Sequence, residues 1–492
     1  MDLYKYTASE LSRMLIKKET SAKEIAESCF KRTDEVEKDV EAYITLNREE
    51  ALKQAEKADE RIKNGSASSP LDGIPLAVKD NMCTEGIKTT CASKILYNFI
   101  PPYDATVVKK IKDAGMVITG KANCDEFAMG SSTETSYYKK TKNPHDITRV
   151  PGGSSGGSAA SVAAGEVPLS VGSDTGGSIR QPSSHCGVVG LKPTYGSVSR
   201  YGLIAFASSL DQIGPFSRSI EDAAMLADVI YGHDPLDSTS APDARIGAGN
   251  FAKRLNPDVK GLKIGLPKEY FGLGVSDEVK SAVMNAVSIY EKLGAKVFEI
   301  SLKLVKYALP VYYIISSAEA SSNLARFDGV KYGYRSSDYD GLVDLYVKSR
   351  SEGFGKEVQR RVMLGTYVLS SGYYDAYYNK GRLAQRAIKQ EFSDAFSDCD
   401  LILTPVTPNT AFRFGEKSGD PVQMYVEDIC TVSVNIAGIP AIAMPCGKGE
   451  GELPVGVQLI GKHFDEQTIL NAGLALEKEL DLKNWVADVR KA

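Results

Sequence analysis

A chain of 492 residues, 42% hydrophobic and 25% charged, can bury a large core, and these proportions exclude a disordered or fibrous protein. Its formal net charge of -4 excludes a dominant nucleic-acid surface, because phosphate binding needs a basic excess on at least one face. The eight cysteines form no C-x-x-C pair and none of the four histidines sits at ligand spacing from one, which argues against a structural zinc and for free thiols in a reducing compartment.

The opening residues M-D-L-Y-K-Y-T lack a basic stretch followed by an apolar one, and no segment reaches 18 uninterrupted apolar residues. The expectation is a soluble, cytoplasmic chain without membrane contact. Residues 7–64 read as helical. Thr7-x-x-Glu10 and Ser21-x-x-Glu24 both match the capping box, in which hydroxyl and carboxylate satisfy orphan N–H groups at a helix start. Residues 42–46 have strand composition, and 48–64 form a charged helix that Asn64-Gly65 ends. Short apolar runs then alternate with helices: a strand over 74–78 ending in Lys79-Asp80-Asn81, a helix over 106–114, a strand over 116–119. That order implies crossover connections and a sheet covered on both sides. Gly115-x-x-x-x-Gly120-Lys121-Ala122 nearly matches a P-loop, but Ala122 stands where the magnesium-holding hydroxyl belongs and the intervening residues are strand-like.

Beyond a Gly/Ser-rich stretch over 151–180, residues 187–191 are apolar, 222–231 helical and 242–259 of loop composition. A strand over 262–266, a helix over 277–293 ended by Gly294 and a strand over 296–300 follow. Residues 307–396 are mainly helical and tyrosine-rich, a cap over the sheet. Strands return at 401–405, 441–445 and 455–460, and 465–480 is a closing helix. No repeat and no linker divides the chain. The expected architecture is one large α/β domain over 1–492, with an N-terminal helical segment (1–65), a core (66–240), the cap insertion (307–396) and a return to the sheet (397–492).

The chemistry converges on 151–180, where glycines beside serines let backbone N–H groups approach a ligand and expose a hydroxyl. Gly152-x-Ser154-x-Gly156 matches the elbow of α/β-hydrolases, yet Pro151 and glycines precede it where a strand is required. A Ser-His-Asp triad also lacks a base: His145 and His233 lie in turns, His463 near a strand end, and His185 too close in sequence to Ser178. Lysine is the other base. Lys79, at the end of a buried apolar strand, loses solvation of its charged form, which brings a neutral amine within reach.

The runs G-G-S-S-G-G-S from 152 and S-D-T-G-G-S-I-R from 173, with Lys79 in P-L-A-V-K-D-N, resemble the amidase signature family, and the resemblance covers nearly the whole chain. It implies a large mixed sheet covered by helices on both sides and a Ser-Ser-Lys triad: Ser178 as nucleophile, Ser154 on a cis peptide as proton relay, Lys79 as ultimate base. The N–H groups of Thr175, Gly176, Gly177 and Ser178 then surround the oxyanion. The runs K-P-T-Y-G-S-V-S-R-Y-G-L-I-A-F-A-S-S-L-D-Q-I-G-P from 192, Y-V-E-D-I-C-T from 425 and N-I-A-G-I-P-A from 435 are similar to the family's tRNA-dependent amidotransferase branch. That branch implies a glutamine site with Arg361 for the α-carboxylate, Arg360 beside it as the alternative, Asp428 for the α-amino group, and Tyr312 and Met129 lining the pocket.

The same branch implies glutamine hydrolysis that supplies ammonia for converting Glu-tRNA(Gln) to Gln-tRNA(Gln), Asp-tRNA(Asn) to Asn-tRNA(Asn), or both. Its partners would be a B subunit, which uses ATP and magnesium and meets the tRNA, and a small C subunit that wraps this chain. No cofactor or metal is then expected here. His185 and Ser197 depart from the family's common wording, which has an aromatic and a basic residue there. A stand-alone amidase is the first rival reading, disfavoured by Arg361 and Asp428, which an apolar amide does not need. A non-catalytic scaffold is the second, disfavoured by intact Lys79, Ser154 and Ser178.

Overall fold

The computed structural model describes residues 2–246, 249–480 and 486–489. Eleven strands run through them: β1 (Tyr43–Leu46), β2 (Pro75–Lys79), β3 (Val117–Ala122), β4 (Leu169–Asp174), β5 (Val189–Lys192), β6 (Gln212–Ser217), β7 (Lys263–Pro267), β8 (Lys296–Ile300), β9 (Leu401–Pro405), β10 (Ala441–Lys448) and β11 (Pro454–Gly461). They form one mixed sheet in the order β1-β3-β2-β4-β6-β5-β10-β11-β9-β7-β8. β2 is parallel to both β3 and β4, whereas β4 and β6 are antiparallel.

Every residue of β2, β3, β4 and β6 is buried, so the middle of the sheet must be covered on both faces. The strand period of two sorts the side chains. Leu76 and Val78 join the larger core, while Ala77 joins a second core with Ala159, Ala160 and Ala163 of the helix Gly156–Ala163. The same alternation turns Lys79 to the face of Ala77, under that helix. At the N-terminus both capping boxes form: the Thr7 N–H donates to Glu10 Oε2 at 2.9 Å, and the Ser21 N–H to Glu24 Oε2 at 2.9 Å.

Residues 307–396 form the expected helical layer, with helices Ala308–Asn323, Gly341–Gly353, Lys356–Val368 and Lys380–Ala395; the first packs on the third and fourth. The sequence pattern leaves three elements unspecified. Within the Gly/Ser-rich stretch 151–180, Gly156–Ala163 is helical and β4 follows, because tertiary packing of small residues beneath the sheet overrides the low helix propensity of glycine. Strand β6 carries Gly214 and Pro215, a composition without strand character, and forms because β4 and β5 pair with its two edges. The loop read over 242–259 contains the short helix Asp243–Ile246, and residues 247 and 248 lie outside the described residues.

The P-loop look-alike is strand β3. Lys121 is fully buried, and its Nζ donates to the Met82 carbonyl and the Thr89 hydroxyl, both at 2.7 Å, which closes it off from any phosphate. Among the described residues all eight cysteines are buried and free, no helix is long and apolar enough to cross a membrane, and no cluster of metal-ligating side chains occurs.

Candidate active site

Strand β2, flanked by β3 and β4, carries Lys79 at its end, opposite Ala122 of β3. Its Nζ is fully buried, 2.8 Å from Ser154 Oγ, 2.8 Å from Ser155 Oγ and 3.0 Å from Ser173 Oγ. No carboxylate forms an ion pair with it among the described residues, so burial holds its pKa below the ordinary lysine value despite the more distant charges of Asp125, Asp174 and Asp211. Ser155 Oγ donates to the Ser173 carbonyl at 3.0 Å, and Ser173 Oγ accepts from Asn81 Nδ2 at 2.9 Å. Nζ thus faces three hydroxyl oxygens, of which Ser154 Oγ has no other partner among the described residues.

The first Gly/Ser cluster holds Ser154. The Gly153–Ser154 peptide is cis, the Ser154 carbonyl accepts from the Asp125 N–H at 3.1 Å, and the Gly153 N–H donates to Gln181 Oε1 at 2.8 Å. A Cβ at Gly153 would lie 2.1 Å from Asp125 Oδ2 and 2.6 Å from the Ser132 nitrogen, so only glycine fits there.

The second cluster leaves β4 and turns around one buried carboxylate. Asp174 accepts from the Gly177 N–H at 2.7 Å and the Ile179 N–H at 3.1 Å, and it takes both Nε (3.0 Å) and Nη2 (3.1 Å) of the fully buried Arg180. The Arg180 guanidinium beside it holds the Asp174 carboxyl down at about 2, against the effect of burial. Arg180 also reaches Gln458 Oε1 and Asn435 Oδ1, each at 2.6 Å. Thr175 Oγ1 donates to Asp211 at 2.7 Å. Ser178 keeps 8% exposure where Ser154 and Lys79 have none.

Of the four N–H groups expected around an oxyanion, those of Thr175, Gly176 and Ser178 have no acceptor among the described residues. The Gly177 N–H is instead committed to Asp174, so Gly177 serves the turn, at φ +137°. Ser178 meets the first cluster through the main chain: its carbonyl accepts from the Ser155 N–H at 3.3 Å. Its hydroxyl is hydrogen-bonded to neither Ser154 nor Lys79 among the described residues.

Tyr312 packs over the second cluster closely enough that a Cβ on Gly176 would stand 2.6 Å from its ring. Further along the cap, Arg361 is buried, its guanidinium 4.4 Å from the ring centroid of Tyr313 and 4.8 Å from that of Tyr425, two rings stacked on each other at 4.0 Å, while Nε donates to Glu357 at 2.7 Å. Its Nη1 is buried with no partner among the described residues. The adjacent Arg360 points to solvent and pairs with Glu357, so helix phase selects Arg361 as the inward cation. Asp428 accepts from Ser131 Oγ at 2.7 Å, and burial raises its carboxyl to about 8. Met129 is fully buried two residues before Ser131. A cavity of about 280 Å³ borders Ser131, Glu357, Arg361 and Tyr425.

Sequence reasoning missed Ser155, Ser173, Asp174 and Arg180 as working parts of this site. The signal for the last two was present, since Asp and Arg bracket the T-G-G-S-I turn at a separation of six residues. His185 is no base: it is fully buried, edge-on to Phe412, and burial lowers its pKa to about 3. Ser197 closes a tight turn on the Thr194 carbonyl at 2.8 Å.

Residues 24–470 match the Amidase family. The A subunit of a glutamyl-tRNA(Gln) amidotransferase from Caldanaerobacter subterraneus subsp. tengcongensis is 59% identical over 478 residues, 97% of each chain. One of the same description from Carboxydothermus hydrogenoformans is 58% identical over 481 residues, 98% of each. Among solved structures, the glutamyl-tRNA(Gln) amidotransferase A subunit from Thermotoga maritima superimposes with a TM-score of 0.82 at 40% identity, covering 100% of this chain and 99% of that one. The native peptide amidase of Stenotrophomonas maltophilia gives 0.81 at 27% identity over 96% and 97%. With the match spanning both Gly/Ser clusters, Lys79 and the whole sheet, this chain belongs to the amidase family.

Proposed function

We propose that this chain hydrolyses glutamine through an acyl-enzyme on Ser178 and works as the ammonia-generating subunit of a tRNA-dependent amidotransferase. The observation that carries the reading is the buried Lys79 amine, without a carboxylate partner, 2.8 Å from Ser154 Oγ. Lys79 accepts the Ser154 proton as Ser154 accepts that of Ser178, a relay that closes when substrate fills the site. Ser178 Oγ bonds to the side-chain carbonyl carbon of glutamine, and the electron pair moves to oxygen, where the N–H groups of Thr175, Gly176 and Ser178 receive it. As the tetrahedral carbon collapses, its C–N bond breaks and the relay returns the proton to the leaving nitrogen, which departs as ammonia. Water then attacks the γ-glutamyl ester by the same relay, releasing glutamate and restoring the Ser178 hydroxyl.

The substrate assignment rests on Arg361 and Asp428. The desolvated Arg361 guanidinium, whose Nη1 has no partner among the described residues, would take the carboxylate of an amino acid, and Asp428, held by Ser131, its ammonium, with Tyr312 and Met129 as the proposed wall. The relatives are described as one subunit of an amidotransferase acting with glutamyl-tRNA(Gln), and this supports a B subunit that spends ATP with magnesium on the tRNA-bound acid, a small C subunit, and a cytoplasmic setting.

The test is ammonia release from glutamine by the chain co-purified with its partner subunits. Ser178→Ala should lower the rate at least about 1,000-fold, as loss of a nucleophile does. Wild-type release no faster than that of the variant overturns the proposal.

A further inference from the structure

On the cap, the helix Lys380–Ala395 turns Arg382, Gln385, Arg386 and Lys389 to one face, at the spacing of adjacent helical turns. With Arg245 they line a cavity of about 490 Å³, closed on its other side by Tyr195, Thr239, Asn435 and His463. No aspartate or glutamate among the described residues borders it. Among the described residues Arg245, Arg382, Arg386 and Lys389 form no ion pair, in a chain whose net charge is -4, whereas the helix-surface lysines Lys53 and Lys348 find carboxylates at 2.8 and 3.0 Å. Glu319 is turned to the N–H (2.9 Å) and hydroxyl (2.6 Å) of Ser209 on the wall. The stripe is held in place by Gln385, whose Nε2 donates to the Ile436 carbonyl at 3.3 Å. Like charges four residues apart destabilise a helix, so packing alone gives no reason for this arrangement.

We propose that this cavity is a second binding site, for a small organic anion carrying two adjacent phosphoryl groups. Guanidinium forks on successive turns each match a phosphate bidentately, and the stripe from Arg382 to Lys389 spans about 10 Å, more than one phosphate fills. Concavity and the rings of Tyr195, His463 and Phe464 on the walls favour a molecule of nucleoside-diphosphate size over an extended polyanion. The cavity shares Asn435 with the Asp174–Arg180 pair behind it, but holds none of Lys79, Ser154 and Ser178, and the proposal does not depend on the reading of their chemistry.

Calorimetric titration of the full chain with pyrophosphate and with ADP tests this. Saturable binding that Arg382→Gln/Arg386→Gln weakens at least about 10-fold is expected, together with a ligand-dependent rise in melting temperature that the double variant loses. Lys260→Gln/Lys303→Gln, which removes equal charge from exposed positions elsewhere, should leave both unchanged. Absence of saturable binding, equal loss in the Lys260/Lys303 variant, or binding of a single-stranded RNA oligonucleotide at these arginines with both diphosphates inert would overturn it.

Discussion

At the scale of single residues, two buried groups set the pH behaviour. Burial pushes Lys79 below the ordinary lysine value, and the proposed relay needs the neutral amine, so kcat/KM for glutamine should rise with pH until Lys79 has lost its proton. Lys79→Arg keeps the positive charge at every pH and should be inactive throughout, while Lys79→Ala should be inactive yet still fold, as circular dichroism would show. A Lys79→Arg enzyme that turns over glutamine removes lysine from the relay. Asp428 titrates at about 8 and is mainly protonated at neutral pH, whereas an ammonium ligand selects the carboxylate. The KM for glutamine should therefore fall as pH rises between about 6.5 and 8, and Asp428→Asn should flatten that dependence while raising KM. Steady-state kinetics across pH separate the two effects, because Asp428→Asn removes the second and leaves the first.

At the scale of elements, the turn between β4 and the helix Arg180–Cys186 is held by Asp174 and Arg180 more than by its glycines. Breaking a buried charged pair from one side leaves the other charge unsatisfied, so Arg180→Ala should destabilise the chain by about 3–5 kcal/mol, measurable in a denaturant titration. The Asp174 carboxyl sits at about 2, below its unfolded value of 3.8, so the stability it contributes is present above pH 4 and is lost as pH falls towards 2. Acid unfolding of the wild type should show that loss and Asp174→Asn should not. Gly176→Ala tests the approach of the cap. Its Cβ would stand 2.6 Å from the Tyr312 ring, and relieving that overlap should cost about 1–3 kcal/mol of barrier or binding energy, so that the specificity constant for glutamine falls roughly 10-fold or more.

At the scale of the whole molecule, the site is shared between sheet and cap, and Glu126 is a joint between them. Its carboxylate accepts from the Ser93 hydroxyl and, at 2.8 Å, from the Gly355 N–H at the start of the helix that carries Arg361. Glu126→Ala should loosen that helix and raise the KM for glutamine several-fold with a smaller change in kcat; an equal fall in kcat would assign Glu126 to the chemistry instead. Much of the architecture was legible in the sequence because it is locally encoded: both capping boxes, the outer strands and the helical character of the cap follow from periodicity and end signals that act within a few residues. The helix Gly156–Ala163 and strand β6 were not legible, since glycine, alanine and proline there carry no local preference and are shaped by what packs on them. The same division runs through the site. By itself the sequence determined which serines and which lysine stand where the amidase pattern has its reactive groups. Only the tertiary structure decided that the Lys79 amine faces three hydroxyls and no carboxylate, that Arg361 rather than Arg360 turns inward, and that Gly177 gives its N–H to Asp174. The first two outcomes depend on partners distant in the chain, Ser154 for Lys79 and Tyr425 for Arg361, and neither spacing nor composition encodes the solvation of a buried charge.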